Sequence, residues 1–422
     1  MNIKLVLLAS LVFVISVFSF YEFNNVSSLT DNYLKTNEMT SDMTTTTTQT
    51  TIENNVSTST DTDMIVENNN NFNLISFSST STNTPMNNQK SVQAKSSTSP
   101  QLSTTATQPA IKETVINTSS LKVMAWVYPS APGCNAAAEF SDGRHINTLK
   151  PEFFTINNGS LELFDSSNAE CNGYSAPFVN KLKNYSDEQY VTVSSASTDI
   201  MDVFFSDMKN IDSDINTLVS FIVSNNLTGI ELDFEDFGGW SETSYANYKE
   251  FVRKLGSELH AKNKKLMLDG PAIADSNEQT WYLWRYEDFI NLPVDTIVIM
   301  LYDYQFDHGA GQPIAPLDWM KIVINRTVSI YPKNKLSIGI PSYGYEATAG
   351  KRLLIRTYDQ LKIKKGFATA KRDLRSGEMN WKTGKTVYFY QDRESIRQKV
   401  ALVESLGINS ISIWHLGGNQ WF

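Results

Sequence analysis

The segment Thr228-Gly229-Ile230-Glu231-Leu232-Asp233-Phe234-Glu235-Asp236 alternates acidic and apolar side chains. In an extended strand alternate residues share a face, so Glu231, Asp233 and Glu235 point one way and Ile230, Leu232 and Phe234 the other. Carboxyls crowded this closely cannot all ionise cheaply. Mutual repulsion keeps a proton on at least one of them near neutral pH, which makes a general acid. The same alternation also describes an amphipathic strand with a solvated acidic face. Other chemistry-bearing residues close further apolar runs: Met300, Tyr302 and Asp303 one run, Pro341, Tyr343 and Gly344 another, Trp414 a third. Acids together with tyrosines and a tryptophan are what sugar cleavage requires. Carboxyls supply the proton and stabilise cationic character, and aromatic faces stack on pyranose rings.

These residues need elements to hold them. Short apolar runs lie at 122–128, 153–156, 191–194, 229–234, 265–268, 296–302, 335–340 and 410–414. Amphipathic helices fall between several of them. Residues 213–224 line up Ile215, Leu218, Val219 and Ile222; 244–261 line up Tyr248, Phe251, Val252, Leu255 and Leu259; 394–406 line up Ile396, Val400, Val403 and Leu406. Eight buried strands alternating with helices over about 300 residues predict an α/β fold of the (β/α)8 TIM-barrel type. An open doubly wound sheet is the alternative from pattern alone; no Gly-rich phosphate loop follows the first run, which weakens a dinucleotide-binding reading. In a barrel, catalytic groups sit at the C-terminal ends of the strands, where the residues named above fall. A strand at the centre of such a barrel has no solvated face, which favours the acid-site reading of Glu231, Asp233 and Glu235.

The stretch 228–236 resembles the DGxDxDxE motif of glycoside hydrolase family 18, the chitinases and their relatives. Met300-Leu301-Tyr302-Asp303 is similar to the family's MxYD on strand six, and Gly339-Ile340-Pro341-Ser342-Tyr343-Gly344 to its GxPxYG on strand seven. Asp392-Arg393-Glu394-Ser395-Ile396 with Lys399 is similar to the helix before strand eight, and Ile413-Trp414 to the floor tryptophan. The resemblance runs over 121–422. The ending Trp414-His415-Leu416-Gly417 and a modest insertion after strand seven look most like bacterial spore-type and related compact members.

The resemblance implies retaining, substrate-assisted hydrolysis of β-1,4-linked N-acetylglucosamine polymers, chitin above all, without metal or cofactor. It implies that Glu235 protonates the glycosidic oxygen and later acts as base. Asp233 orients the substrate's 2-acetamido group, Tyr302 hydrogen-bonds its oxygen, and Trp414 stacks beneath the sugar. Asp303 is a supporting or subsite contact, and Met300 and Tyr343 complete the substrate-binding set. Trp240, after Gly238-Gly239, is a candidate sugar platform, with loop packing the equal alternative. Two positions depart from the pattern: Glu231 and Thr228 each stand where the family has Asp. Glu231 is expected to share a proton with Asp233 all the same. Competing readings are a catalytically weak chitin- or glycan-binding barrel, a hydrolase of peptidoglycan or N-glycan cores, and a stalked surface protein.

The rest of the chain frames this domain. Its 422 residues carry a net charge of −9 without a basic cluster, so nucleic acid is excluded as a partner. Leu5 to Phe20 is an apolar run behind Lys4, read as a signal peptide cut after Ser19 or as an uncleaved anchor tethering the protein to a membrane. Either way the barrel is expected outside the cell. Residues 21–120 are rich in Ser, Thr and Asn, too poor in apolar area to offset the entropy of ordering, and are expected to form a disordered linker. Glycosylation sequons begin at Asn25, Asn55, Asn117, Asn158, Asn184, Asn226 and Asn325. The two cysteines, Cys134 and Cys171, are expected to form one disulfide in an exported chain. The histidines (His145, His260, His308 and His415) have no metal-ligand spacing.

Overall fold

Strand-forming apolar runs separated by helices fold into a closed parallel barrel. A computed structural model of the chain describes residues 121–127, 131–139, 146–164, 173–195, 197–206 and 208–422. In chain order its strands are β1 (Lys122–Val127), β2 (Thr148–Asn157), β3 (Ser160–Leu163), β4 (Glu188–Ser195), β5 (Gly229–Phe234), β6 (Lys265–Pro271), β7 (Thr296–Met300) and β8 (Leu336–Pro341). After these come β9 (Gly344–Thr348), β10 (Leu354–Arg356), β11 (Lys371–Arg372), β12 (Met379–Thr383), β13 (Thr386–Tyr390) and β14 (Ser410–Trp414). The main sheet runs β1-β14-β8-β7-β6-β5-β4-β2-β3, and β1 pairs with β2 to close it. Of these nine strands, β3 is an antiparallel hairpin partner of β2, which leaves eight parallel barrel strands. The (β/α)8 expectation holds.

Apolar faces place the helices around the barrel. The principal ones are α1 (Ala131–Glu139), α2 (Ala176–Tyr185), α3 (Thr198–Ser206), α4 (Ile211–Ser224) and α5 (Glu242–Ala261), then α6 (Tyr304–His308), α7 (Leu317–Val328), α8 (Tyr358–Lys362) and α9 (Arg393–Ser405). The stripes read from sequence are buried: Ile215, Leu218, Val219 and Ile222 on α4, and Tyr248, Phe251, Val252, Leu255 and Leu259 on α5. Helix α5 starts where the Ser241 hydroxyl accepts from the Ser244 N–H, and α9 where Asp392 and Ser395 cap each other reciprocally. On β5 the outward set does what alternation requires: Phe234 stacks on Phe251 with ring centres 6.3 Å apart and lies 6.0 Å from Tyr248.

Two features differ from the sequence reading. The insertion after the seventh barrel strand is larger than the modest loop expected: β10-β9-β13-β12-β11 form a separate five-stranded antiparallel sheet. Its aromatic side chains bind it together, with Trp381 and Tyr388 stacked at 4.2 Å. The barrel strands β2 and β6 also extend beyond the expected 153–156 and 265–268, because charged residues inside them interrupt the apolar runs. Among the described residues no helix is long and apolar enough to cross a membrane. Residues 1–120, Cys171 and the side chain of Cys134 lie outside the described residues, and with them the signal or anchor, the linker and the disulfide.

Candidate active site

Inward-facing side chains fill the bore in layers. Met124, Trp126, Tyr190, Met267 and Val298 pack together there, with Trp414 against them. A buried polar layer is interleaved with this apolar one. Lys150, wholly buried on β2, places its Nζ 3.1 Å from the centre of the Trp126 ring and 2.5 Å from Glu231 Oε1. The other Glu231 oxygen accepts from the Thr192 hydroxyl at 2.7 Å. Burial lowers the Lys150 pKa, and the charge of Glu231 acts against that. Glu231 therefore sits behind the site with both oxygens taken. It is not exposed to solvent and is engaged with Lys150 and Thr192, not with Asp233 as the sequence reading expects. Thr228, the other departure, accepts from the Gln189 N–H at 3.0 Å and serves the β4–β5 edge.

Above Glu231 the strand presents Asp233 and then Glu235. The Glu235 N–H bonds the Ser195 carbonyl at 2.8 Å, which carries the β4–β5 pairing one residue past the strand end. Asp233 and Glu235 hydrogen-bond each other side chain to side chain. Burial raises the Glu235 pKa, and the charges of Asp233 and Asp303 raise it further. Burial, then Glu231 and Glu152, pushes Asp233 up to about 8. Together the two carboxyls hold a proton at neutral pH, as crowding on one face demands.

An aromatic wall faces this pair. Tyr302 stacks with Trp414 at 6.2 Å between ring centres and an interplanar angle of 29°. Gly339 makes room for it: a Cβ there would lie 3.0 Å from the Tyr302 ring and 2.9 Å from the Ile299 carbonyl. Burial raises the Tyr302 hydroxyl well above its usual pKa, so it stays a proton donor. Ser342 fixes the Trp414 backbone, donating from its N–H to the Trp414 carbonyl at 2.8 Å and from its hydroxyl to the His415 carbonyl at 2.9 Å. Asp303, in the left-handed region at φ 66°, accepts from the Tyr343 hydroxyl and from Gln305 Nε2 at 3.2 Å. Burial pushes Asp303 up to about 6 against those two hydrogen bonds.

Of the residues singled out in the sequence, Asp233, Glu235, Tyr302, Asp303 and Trp414 form one constellation, and half-buried Met300 closes the end of β7 beside it. Two of the expected sugar contacts stand elsewhere. Tyr343 is 1% exposed and meets Trp414 edge-on at 5.0 Å, so it braces the wall from behind. Trp240 is buried against Phe237, Tyr245 and Tyr248, and its indole N–H bonds the Glu235 carbonyl at 2.9 Å. It packs the loop that carries Glu235 and offers a sugar no open face. The sequence reading missed Lys150, Glu152 and Asp269; the available signal was a charge in an otherwise apolar strand. No group of three or more His, Cys, Asp or Glu among the described residues is arranged to hold a metal ion.

The sequence profile described as "Glycosyl hydrolases family 18" matches residues 125–419. The "uncharacterized glycosylase YvbX" of Bacillus subtilis (strain 168) is 28% identical over 216 residues, covering 48% of this chain and 61% of that protein. The "cortical fragment-lytic enzyme" of the same organism is 24% identical over 273 residues, covering 57% of this chain and 61% of that one. The matches thus span about three fifths of the length of these curated relatives. A crystal structure of a chitinase from Chromobacterium violaceum superposes with a TM-score of 0.60 at 21% identity, over 71% of this chain and 95% of that one.

Proposed function

We propose how the site acts from one premise: this chain belongs to glycosyl hydrolases family 18. Its reaction is retaining hydrolysis of a glycan containing N-acetylglucosamine, with the substrate's own acetamido group as nucleophile. The observation that carries this reading is the direct hydrogen bond between Asp233 and Glu235. Glycosidases that work with two carboxylates hold them about 5–5.5 Å apart when one is the nucleophile and about 6.5–9.5 Å apart when a water lies between. Carboxyls in hydrogen-bond contact fit neither spacing, so the nucleophile has to come with the sugar.

Glu235 keeps its proton in the buried pair and gives it to the glycosidic oxygen. As the bond breaks, the acetamido oxygen of the sugar attacks the anomeric carbon and an oxazolinium ion forms. Asp233, released from Glu235 by that proton transfer, faces the acetamido N–H and stabilises the developing positive charge. The Tyr302 hydroxyl donates to the acetamido oxygen, and the Trp414 ring supports the sugar from below. Water then opens the ring with Glu235 as base, and the β configuration is retained. Lys150 holds Glu231 away from this exchange.

Chitin is the leading substrate, since the mechanism needs only the acetamido group and a β-1,4 linkage. Peptidoglycan is the second reading, favoured by the similarity to a cortical fragment-lytic enzyme. The protein is proposed to work outside the cell, secreted or anchored through residues 5–20. Hydrolysis of a panel of chitin oligomers, peptidoglycan and high-mannose glycoprotein tests the reading. Release of sugars from either of the first two supports it, and turnover of none of the three refutes it.

A further inference from the structure

Asp269 is a further carboxyl of the bore that the reaction above does not use. It lies on β6, 1% exposed, one residue past Leu268, which pairs with Leu232 on β5; Asp233 is one residue past Leu232. The two aspartates are therefore neighbours across adjacent strands. Neither carboxyl oxygen of Asp269 has a hydrogen-bond partner among the described residues, and the same is true of Asp233 Oδ1. Glu231 has both oxygens occupied. The charged and titratable groups whose fields reach Asp269 or receive its own are Lys150 on β2, Glu231, Asp233 and Glu235 on or just past β5, Tyr248 on α5, Tyr286 after β6 and Tyr302 after β7.

We infer that Asp269 is the positioning residue that donates a hydrogen bond to Asp233 during the reaction, in the place that the sequence pattern assigns to Glu231. The inference rests on the reading that Asp233 holds the acetamido group as an anion. A buried carboxyl among carboxylates keeps its proton, and burial followed by the charges of Glu231 and Asp233 raises Asp269 well above the usual range. Its O–H and the unpartnered Asp233 oxygen are unmet hydrogen-bonding groups on neighbouring strands, and a bond between them satisfies both. Asp233 is then held between two acids, Glu235 on the sugar side and Asp269 on the core side. When Glu235 gives up its proton, Asp269 still stabilises the Asp233 anion.

Asp269→Leu, Asp269→Asn and Glu231→Gln in the full chain test this. A donor to an anion lowers the anion's pKa, so its loss raises it. Asp269→Leu is expected to lower kcat about tenfold or more with KM little changed, and to move the acid limb of the pH profile upward by about one unit. Asp269→Asn keeps a donor and should restore most of kcat and the limb. Glu231→Gln removes a negative charge and should move the limb downward or leave it. Should Asp269→Leu not fold, Asp269→Ala carries the same comparison. The titration of Asp233 by 13C carboxyl NMR in the substrate-free chain reads the same shifts without a substrate, so it judges this inference even where the glycan assignment fails. An upward shift in Glu231→Gln with none in Asp269→Leu overturns it, as does equal loss of kcat in the Leu and Asn variants.

Discussion

Replacing Lys150 with Met leaves Glu231 in the bore with Thr192 alone as its partner. Both charged groups are wholly buried, their closest atoms are 2.5 Å apart, and the ammonium also lies over the Trp126 face. Breaking a buried pair by removing one member costs about 3–5 kcal/mol, because the other charge stays desolvated. Loss of the cation–π contact adds about 0.5–2 kcal/mol. Replacing both partners with apolar residues of similar volume, as in Lys150→Met/Glu231→Leu, is close to neutral by the same reasoning. Adding Glu231→Leu to Lys150→Met should therefore restore about 3 kcal/mol or more, whereas at an independent site its own cost would simply add, within roughly 0.5 kcal/mol. Urea unfolding followed by tryptophan fluorescence measures it. With a slope of about 3 kcal/mol/M, the single variant should lose at least about 1 M in midpoint and the double should regain most of it. A single variant within about 1 kcal/mol of the parent, or a double no better than the single, would show that the pair does not organise the bore.

Glu235→Gln is expected to lower turnover about a hundredfold or more while leaving binding of chitin oligomers nearly unchanged; titration calorimetry beside initial rates separates the two. Activity should fall on the alkaline side, where Glu235, held well above the usual carboxylate range by burial and the Asp233 charge, loses the proton that the leaving group needs; a pH profile with no alkaline limb would contradict the acid role. Trp240→Phe removes the indole bond to the Glu235 carbonyl and should cost about 1 kcal/mol of stability with substrate affinity unchanged. Trp414→Ala should weaken binding of chitin oligomers by about 1 kcal/mol or more, so the two tryptophans separate a packing role from a stacking one.

Much of this architecture was legible in the sequence because barrel strands and their helices carry strong periodic signals. Alternation on 229–234 set Glu231 apart from Ile230 and Leu232, and the order of motifs placed Tyr302, Asp303 and Trp414 at strand ends. Strand limits were harder to read where polar residues point into the bore. The expected second strand began after Lys150 and Glu152, and the fifth stopped one residue before Asp269. A charge inside an apolar run marks the end of a strand at the surface and the polar layer of a barrel alike; only the closed sheet tells them apart. Burial was likewise invisible for Tyr343 and Trp240, whose residue types suit a sugar platform as well as a brace. The inserted sheet escaped because its strands, two to five residues long, are held by long-range aromatic pairs such as Trp381 on Tyr388.

In the proposed reaction the sugar's acetamido group does the work of a nucleophile beside Asp233 and Glu235. Proton NMR of a chitin oligomer digest in its first minutes, before mutarotation, tests it most directly. Newly formed reducing ends should be the β anomer, with a cellulose oligomer of the same length left intact because it carries a hydroxyl in place of the acetamido group. Newly formed α anomer, or cleavage of the cellulose oligomer at a comparable rate, would contradict it.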